Sequence, residues 1–290
     1  MDTLPIISRF APTPSGYLHR GNALNFILTW VMTRVDKGAV YLRIDDYDLS
    51  RCKLVYVEDV FNVLDWLGLD WDEGPFSVDA FYQNFSTKRR LEYFRSQVQA
   101  LHVEQSLTYA CTCSRKEIEA FSSNGIYPLT CYEKSLPFTF GHNALRFHVR
   151  PGTLVTIDKQ TIALDTALGD FVIWRKDDLP AYQFASLIDD RDMKTSLLVR
   201  GEDLLASSAA QYYLATQMGI EHFTSARFYH HPLLKDTSGQ KLSKTHQAQR
   251  LDLCGSPLSL YQEAAICLGL TEKVTSLKEL LVCYKEHRSH

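Results

Sequence analysis

The chain has 290 residues, enough to bury a full hydrophobic core in one large domain or in two lobes. Its hydrophobic fraction of 45%, charged fraction of 22% and formal net charge of −3 are typical of a globular protein and exclude binding of nucleic acid through bulk positive charge. No run approaches the ~20 apolar residues of a membrane span, so we expect a cytoplasmic protein that does not contact a membrane.

The stretch from Arg9 to Asn22 predicts a strand, a tight turn and the start of a helix. An apolar run precedes a cluster of Pro, Ser and Gly, and apolar residues at helical spacing follow. The N–H groups and the dipole of a helix N-terminus form a site for an anion. Gly16 and Gly21 let the backbone approach a ligand closely, and His19 is placed to donate to a phosphate. The alternative is an ordinary turn with an incidental histidine.

The next segments predict a βαβ unit. Residues 39–44 form an apolar run that indicates a second buried strand, followed by an acidic loop at 45–48. Two strands joined through a helix favour a parallel sheet. Carboxylates just after such a strand lie where open α/β sheets bind ligands, although a solvated loop is the alternative. Helices at 55–69 and 86–105 follow.

Three of the seven cysteines are clustered in the sequence. Cys111 and Cys113 form a Cys-x-Cys pair, and Cys131 follows about twenty residues later. This spacing is typical of a metal site, and a tetrahedral zinc ion would need a fourth ligand besides three thiolates. Tyr127 and His142 are the two nearby candidates. The alternative is that these cysteines are small buried hydrophobic residues.

The second half of the chain first interrupts the βα pattern and then resumes it. Residues 145–173 alternate apolar and polar, which predicts short antiparallel strands in an inserted subdomain. A helix, a strand and another helix are then predicted at 180–188, 197–200 and about 206–218. A polar loop at 239–245 carries two lysines, and residues 256–290 predict two short helices.

Several of these segments resemble one family of enzymes. Residues 12–21 resemble the first signature of class I aminoacyl-tRNA synthetases in its glutamyl form, and residues 241–245 resemble the second, lysine-containing signature. Segments of glutamyl-tRNA synthetases are matched in the same order at 43–46, 71–75, 170–173, 181–182, 189–190 and 199–204. The resemblance implies an α/β fold: a Rossmann-like parallel sheet, an inserted small α+β zinc-containing subdomain and a short helical C-terminal tail.

A narrower resemblance concerns the metal and the acceptor. Only about 40 residues follow the lysine segment, where a glutamyl-tRNA synthetase would continue into an anticodon-binding region. A catalytic core without that region, with Cys-x-Cys and Tyr-x-x-x-Cys, resembles the glutamyl-Q tRNA(Asp) synthetases. In that family three cysteines and a tyrosine hold one structural zinc ion, which implies Cys111, Cys113, Tyr127 and Cys131. The implied activity is activation of L-glutamate with ATP, without tRNA, and transfer to queuosine at the wobble position in the anticodon arm of tRNA(Asp).

The resemblance also implies the residues of the active site. His19, Lys241 and Lys244 would act on the phosphates of ATP, which would bring Mg²⁺ with it. The other ATP-binding positions would be Pro12, Gly16, Gly21 and Asn22. The amino acid would be bound by Arg9, Ala11, Thr13, Asp45, Tyr182 and Arg200. The arginines suit carboxylate groups and a carboxylate suits the substrate ammonium.

Two positions depart from the family pattern. Asp45 stands where the family usually has glutamate, so its carboxylate is one methylene shorter. The ammonium is then met through water, or the substrate sits differently. Arg20 replaces a usually apolar residue and either adds a cation near the phosphates or points to solvent.

We expect a monomer made of four segments. These are the first half of the catalytic domain at 1–97, an acceptor/zinc subdomain at 98–168, the second half at 169–250 and a helical tail at 251–290. Two other hypotheses remain open. The chain would be a truncated glutamyl- or glutaminyl-tRNA synthetase that charges a tRNA 3′ end, or a non-catalytic synthetase paralogue that acts as a binding module.

Overall fold

A computed structural model describes residues 5–104, 106–122, 125–233 and 250–289. Its strands are β1 (Ile7–Phe10), β2 (Ala39–Leu42), β3 (Thr108–Cys111), β4 (Ala144–Phe147), β5 (Leu154–Ile157), β6 (Gln160–Ala163), β7 (Phe171–Trp174), β8 (Leu197–Gly201) and β9 (Arg227–His231). Its α-helices are α1 (Arg20–Arg34), α2 (Leu54–Trp66), α3 (Val78–Ala80), α4 (Thr87–Glu104), α5 (Arg115–Phe121), α6 (Leu164–Ala167), α7 (Tyr182–Asp192), α8 (Leu205–Gln217), α9 (Glu221–Thr224), α10 (Leu258–Cys267) and α11 (Leu277–His287). A π-helical turn (Phe81–Phe85) and two 3-10 helices (Tyr132–Lys134 and Glu202–Leu204) complete the helical segments.

The described residues form two compact units. Among the described residues, unit 1 comprises 5–87, 195–203, 226–233 and 250–289, and unit 2 comprises 88–104, 106–122, 125–194 and 204–225. Each unit therefore contains segments that are distant in sequence. No helix in the described part of the chain combines the length and the apolar character that crossing a bilayer requires.

The parallel strands predicted from the sequence lie in unit 1. β1 pairs in parallel with β2, with Ile7 opposite Ala39 and Phe10 opposite Leu42. β8 pairs in parallel with β9, and the N–H of Ser196, just before β8, donates to the carbonyl of Ile7 at 2.8 Å. The predicted βαβ unit and parallel sheet are confirmed, because α1 connects β1 and β2.

The core of unit 1 includes the last two helices. The apolar stripe of α1 is fully buried, as the periodicity predicts, and α2 adds Val60 and Leu64. Leu260 of α10 and Leu280 of α11 are buried in the same cluster. The C-terminal helices therefore stabilise the unit that contains the first turn.

Unit 2 contains the antiparallel strands predicted for residues 145–173. β3, β4 and β7 form one antiparallel sheet, and β5 and β6 form a hairpin. The two-residue turn of the hairpin places Asp158 and Lys159 at φ 50° and 63°, the pair of positive angles of a type I′ turn. The antiparallel prediction is confirmed.

Candidate active site and candidate metal centre

The turn between β1 and α1 places His19 at the N-terminus of the helix. His19 is the N-cap residue, and its Nδ1 accepts from the N–H of Gly21 at 3.1 Å. In return, the side-chain oxygen of Asn22 accepts from the N–H of His19 at 3.1 Å. Because Nδ1 is an acceptor, the proton of a neutral His19 ring lies on Nε2, which makes Nε2 the donor for a ligand.

Gly21 packs closely against that histidine. A Cβ at position 21 would lie 3.1 Å from Cε1 and 3.2 Å from Nδ1 of His19, tighter than most such contacts, so the ring would have to shift by a few tenths of an ångström. At Gly16, by contrast, a Cβ would meet nothing within 4 Å. The glycine within the helix therefore leaves room for the His19 ring, whereas Gly16 faces open space.

Unit 1 gathers several predicted amino-acid ligands at the ends of its parallel strands. Arg9 lies in β1 and Arg200 in β8, and each is 3% exposed. Asp45 follows β2, and its N–H donates to the carbonyl of Pro12 at 2.8 Å, which ties it to the turn that begins with Ala11. Buried charges at the carboxyl ends of parallel strands form a site for a charged ligand.

Asp45 has a partner that the sequence analysis did not consider. Nε and Nη2 of Arg43 donate to the two carboxylate oxygens of Asp45 at 2.6 and 3.0 Å. Both residues are buried, with 2% of Asp45 and 6% of Arg43 exposed. The spacing of two residues could have revealed the pair, because alternate residues of an extended chain share a face.

The neighbouring carboxylate has a structural role. Asp46 accepts from the hydroxyl of Ser86 at 2.6 Å and from the N–H of Thr87 at 2.8 Å, at the first residue of α4. It thereby satisfies a donor at a helix N-terminus. In the acidic loop, Asp45 therefore pairs with Arg43, whereas Asp46 holds the start of α4.

The remaining predicted active-site residues are one residue of the same turn, one residue of unit 2 and two lysines. Thr13, in the same turn, accepts from the N–H of Ser15 at 2.9 Å through its carbonyl. Tyr182 is the first residue of α7 and belongs to unit 2, whereas the residues above belong to unit 1. Lys241 and Lys244 lie outside the described residues.

Arg20 has a protein partner in addition to the two roles that the sequence leaves open. Its guanidinium forms an ion pair with Glu263 of α10 and lies 3.4 Å from the hydroxyl of Ser259. The side chain of Arg20 is 42% exposed, so the ion pair is partly solvated. Arg20 therefore connects the start of α1 to the C-terminal helices.

The four predicted zinc ligands are close together in unit 2. The sulfur atoms of Cys111, Cys113 and Cys131 all lie within 4.8 Å of one another. The hydroxyl of Tyr127 is 3.3 Å from Sγ of Cys111 and 3.5 Å from Sγ of Cys113. His142 is exposed and is not in this group, so the phenol is the fourth candidate that the structure supports.

Three sulfurs and one oxygen at these separations fit a tetrahedral metal ion, for which Zn–S distances are about 2.3 Å. Burial acts to raise the pKa of the Cys131 thiol, but hydrogen bonds from Tyr127 and Thr112 outweigh burial and lower this pKa to about 6. Burial and the nearby cysteines raise the pKa of Tyr127, so metal binding would have to displace its proton. The donor set suits Zn²⁺ better than Mg²⁺ or Ca²⁺, which prefer oxygen ligands.

A buried cation and a hydrogen-bond network surround this cluster. The guanidinium of Arg146, which is 7% exposed, lies 3.6 Å from the centroid of the Tyr127 ring. Arg146 donates to the carbonyl of Asp170, whose carboxylate accepts from the hydroxyl of Tyr109 at 2.6 Å. The positive charge offsets negative charge on deprotonated ligands, and the network fixes the ring that carries the oxygen.

Known proteins are similar to this chain over most of its length. Residues 5–128 and 140–255 match the family described as tRNA synthetases class I (E and Q), catalytic domain. A glutamyl-Q tRNA(Asp) synthetase of Verminephrobacter eiseniae (strain EF01-2) is 36% identical over 285 residues, which cover 93% of this chain and 92% of that protein.

Other relatives are longer. A glutamate–tRNA ligase of Anaeromyxobacter sp. (strain Fw109-5) is 34% identical over 252 residues, and the match covers 83% of this chain and 52% of that ligase. The chain thus spans about half the length of the curated ligases it matches. The crystal structure of a glutamate–tRNA synthetase from Elizabethkingia anophelis aligns with a TM-score of 0.74 at 22% identity, covering 97% of this chain and 66% of that one. At this identity the likeness shows the fold.

Proposed function

Because this chain belongs to the class I tRNA synthetase family (E and Q), we propose that it activates L-glutamate with ATP in the absence of tRNA and transfers it to queuosine at the wobble position of tRNA(Asp). The chain has the α/β fold of that family, with a parallel sheet. The observation that carries the proposal is the hydrogen bond from Asp45 to Pro12. Through its backbone N–H, it ties Asp45, the residue proposed to bind the ammonium, to the turn that ends in His19.

In the first step, a carboxylate oxygen of glutamate attacks the α-phosphorus of ATP. The bond from that phosphorus to the bridging oxygen breaks, and pyrophosphate leaves. Nε2–H of His19 and the N-terminus of α1 would stabilise the charge that develops on the phosphates. Pro12, Gly16, Gly21 and Asn22 would shape this side of the site, and Lys241 and Lys244 would add positive charge. Mg²⁺ bound with ATP would neutralise the phosphate oxygens.

The amino acid would be bound on the other side of the same turn. Arg9 and Arg200 would bind its carboxylate groups, with Ala11, Thr13 and Tyr182 as further contacts. Asp45 would bind the ammonium. Because Arg43 already occupies one lone pair of each Asp45 oxygen, we propose that a water molecule bridges the shorter side chain to the ammonium.

In the second step, a hydroxyl oxygen of the queuosine ring attacks the activated carbonyl, and AMP leaves. The acceptor is supported by the similarity to a glutamyl-Q tRNA(Asp) synthetase, which extends along 93% of this chain and 92% of the relative. The similarity to the glutamate–tRNA ligase covers 83% of this chain but only 52% of that ligase. We propose the anticodon arm of tRNA(Asp) as the partner.

Cys111, Cys113, Tyr127 and Cys131 would hold one structural zinc ion. When bound, zinc would cross-link β3 to the segment at 127–131 and take no part in the reaction. We propose that the zinc site belongs to an inserted subdomain at 98–168.

The test is ATP–pyrophosphate exchange with each amino acid, with and without tRNA. Glutamate-dependent exchange without tRNA is expected, and exchange only with tRNA would favour an enzyme that charges the tRNA 3′ end. No exchange with any amino acid would favour a non-catalytic binding module. Labelled glutamate should then be transferred to tRNA(Asp) that contains queuosine. Treating that tRNA with periodate before the reaction should abolish the transfer, because periodate cleaves the free vicinal diol of queuosine. Transfer to queuosine-free tRNA would contradict the proposed acceptor.

A further inference from the structure

Leu18, the residue before His19, is held from both sides by residues outside its turn. Its N–H donates to Oδ2 of Asp59 on α2 at 2.8 Å, and its carbonyl accepts from the N–H of Leu251 at 3.3 Å. Leu18 and Leu251 are both buried. The backbone position at which His19 begins is therefore set by two segments that are distant in the sequence.

Arg250 completes this arrangement. Its Nη2 lies 3.3 Å from Oδ1 of Asp59, an oxygen that has no hydrogen-bond partner among the described residues. Asp59 is 1% exposed, and a buried carboxylate is costly without a compensating cation. The guanidinium of Arg250 also lies 4.1 Å from the centroid of the Tyr17 ring, within the turn itself.

We propose that Asp59 and Arg250 form a positioning pair for the turn that carries His19. Arg250 compensates the charge on Asp59, and the charged carboxylate makes a stronger acceptor for the Leu18 N–H than a neutral group would. Because Arg250 and Leu251 are adjacent, the contacts form a closed ring through Asp59, Leu18 and the chain at 250–251.

The effect on catalysis rests on the proposed function, in which His19 meets the ATP phosphates. A displaced turn would misplace Nε2 of His19 in the transition state. The ion pair of Arg20 with Glu263 connects the start of α1 to α10 and so also helps to hold the turn in place. In the sequence, Arg250 is six residues after Lys244, the predicted lysine of the second signature.

Arg250→Gln, Asp59→Asn and the double variant test the pair, with Arg288→Gln as the matched control. Arg288 is also a C-terminal arginine, but it pairs with Asp36 at 2.8 Å, beyond the opposite end of α1. We expect the Leu18 amide to exchange with deuterium about tenfold faster than in the wild type in each single variant. The double variant should exchange at the same rate as the single variants, because the two residues act as one unit. The control should leave this exchange unchanged.

The kinetic readout separates positioning from general stability. In glutamate-dependent exchange, kcat should fall about tenfold in Arg250→Gln while KM for glutamate stays constant, because the amino-acid ligands are untouched. Arg288→Gln should keep the wild-type kcat. A global loss of structure would instead raise amide exchange throughout unit 1.

Wild-type protection of Leu18 in both single variants would overturn the proposal, as would multiplicative effects in the double variant. If Asp59→Asn does not fold, Arg250→Gln and Tyr17→Leu decide the question, since these side chains are 51% and 40% exposed. If the wild-type protein catalyses no exchange with any amino acid, the proposed function fails. The protection of Leu18 still decides the positioning pair in that case.

Discussion

Asp45→Asn should both destabilise unit 1 and weaken glutamate binding. The change removes the negative charge from a buried pair in which Arg43 donates at 2.6 and 3.0 Å and the two residues are 6% and 2% exposed. Breaking a buried ion pair by removing one partner costs roughly 3–5 kcal/mol. We expect about 3 kcal/mol, the lower end of that range, because the Asn oxygen still accepts one bond from Arg43.

Urea unfolding measures this loss as a shift in midpoint at constant slope. Asp36→Asn is the matched control, because its pair with Arg288 is partly solvated, with side chains 29% and 36% exposed. This control should lose less than about 1 kcal/mol. A loss of the same size for Asp45→Asn would refute the view that the buried pair holds the acidic loop.

The same variant tests the assignment of Asp45 to the substrate ammonium. In glutamate-dependent exchange, KM for glutamate should rise at least about tenfold in Asp45→Asn, since a charge-assisted contact is lost. Asp45→Glu keeps the charge and should stay within a few-fold of the wild type. An unchanged KM in Asp45→Asn would remove Asp45 from the amino-acid site while leaving its structural role intact.

Three further predictions concern separate features. Gly21→Ala should retain or raise the melting temperature, because Ala favours helix, but should lower kcat about three- to tenfold through the displaced His19 ring; an unchanged kcat would contradict the steric argument. Metal analysis should find about one zinc ion per chain, lost in Cys113→Ser and retained in Cys254→Ser, whose side chain is exposed; metal-free protein of wild-type stability would contradict the site. Burial lowers the pKa of His231, so the folded chain takes up this proton at a lower pH than the unfolded chain, which is protonated below about pH 6.5. The free energy of unfolding should therefore fall as the pH drops below that value. In urea titrations, His231→Gln should reduce this fall by up to about 1.4 kcal/mol per pH unit. If the variant and the wild type lose stability with pH at the same rate, the role of His231 is contradicted.

Much of unit 1 could be predicted from local patterns. The apolar stripe of α1, the strands on either side of it and the turn that ends in His19 all follow from periodicity and from Pro and Gly, which act within a few residues. The three cysteines were likewise evident from their spacing. The comparisons support the family that these motifs indicated.

The partners of charged residues could not be predicted in the same way. Asp45 and Asp46 are adjacent and chemically identical, yet one pairs with Arg43 and the other holds the start of α4 through Thr87. The sequence named no protein partner for Arg20, and the structure pairs it with Glu263. Periodicity states which face of a helix is buried, but it does not state which charge on another element will meet it.

The amino-acid sequence by itself indicated β1, α1, β2, α2, β8, the two C-terminal helices, the turn that ends in His19 and the cysteine spacing, because each follows from a pattern of nearby residues. It did not predict β9. The spacing left Tyr127 and His142 open, the family resemblance implied Tyr127, and the structure places its hydroxyl beside the cysteines. Tertiary structure alone decided that Asp59 meets Arg250. That contact arises when segments as distant as α2 and the start of the C-terminal region pack against one turn. Burial then requires each charge to find hydrogen-bond partners, as Asp46 does, or a partner of opposite sign, as Asp59 does.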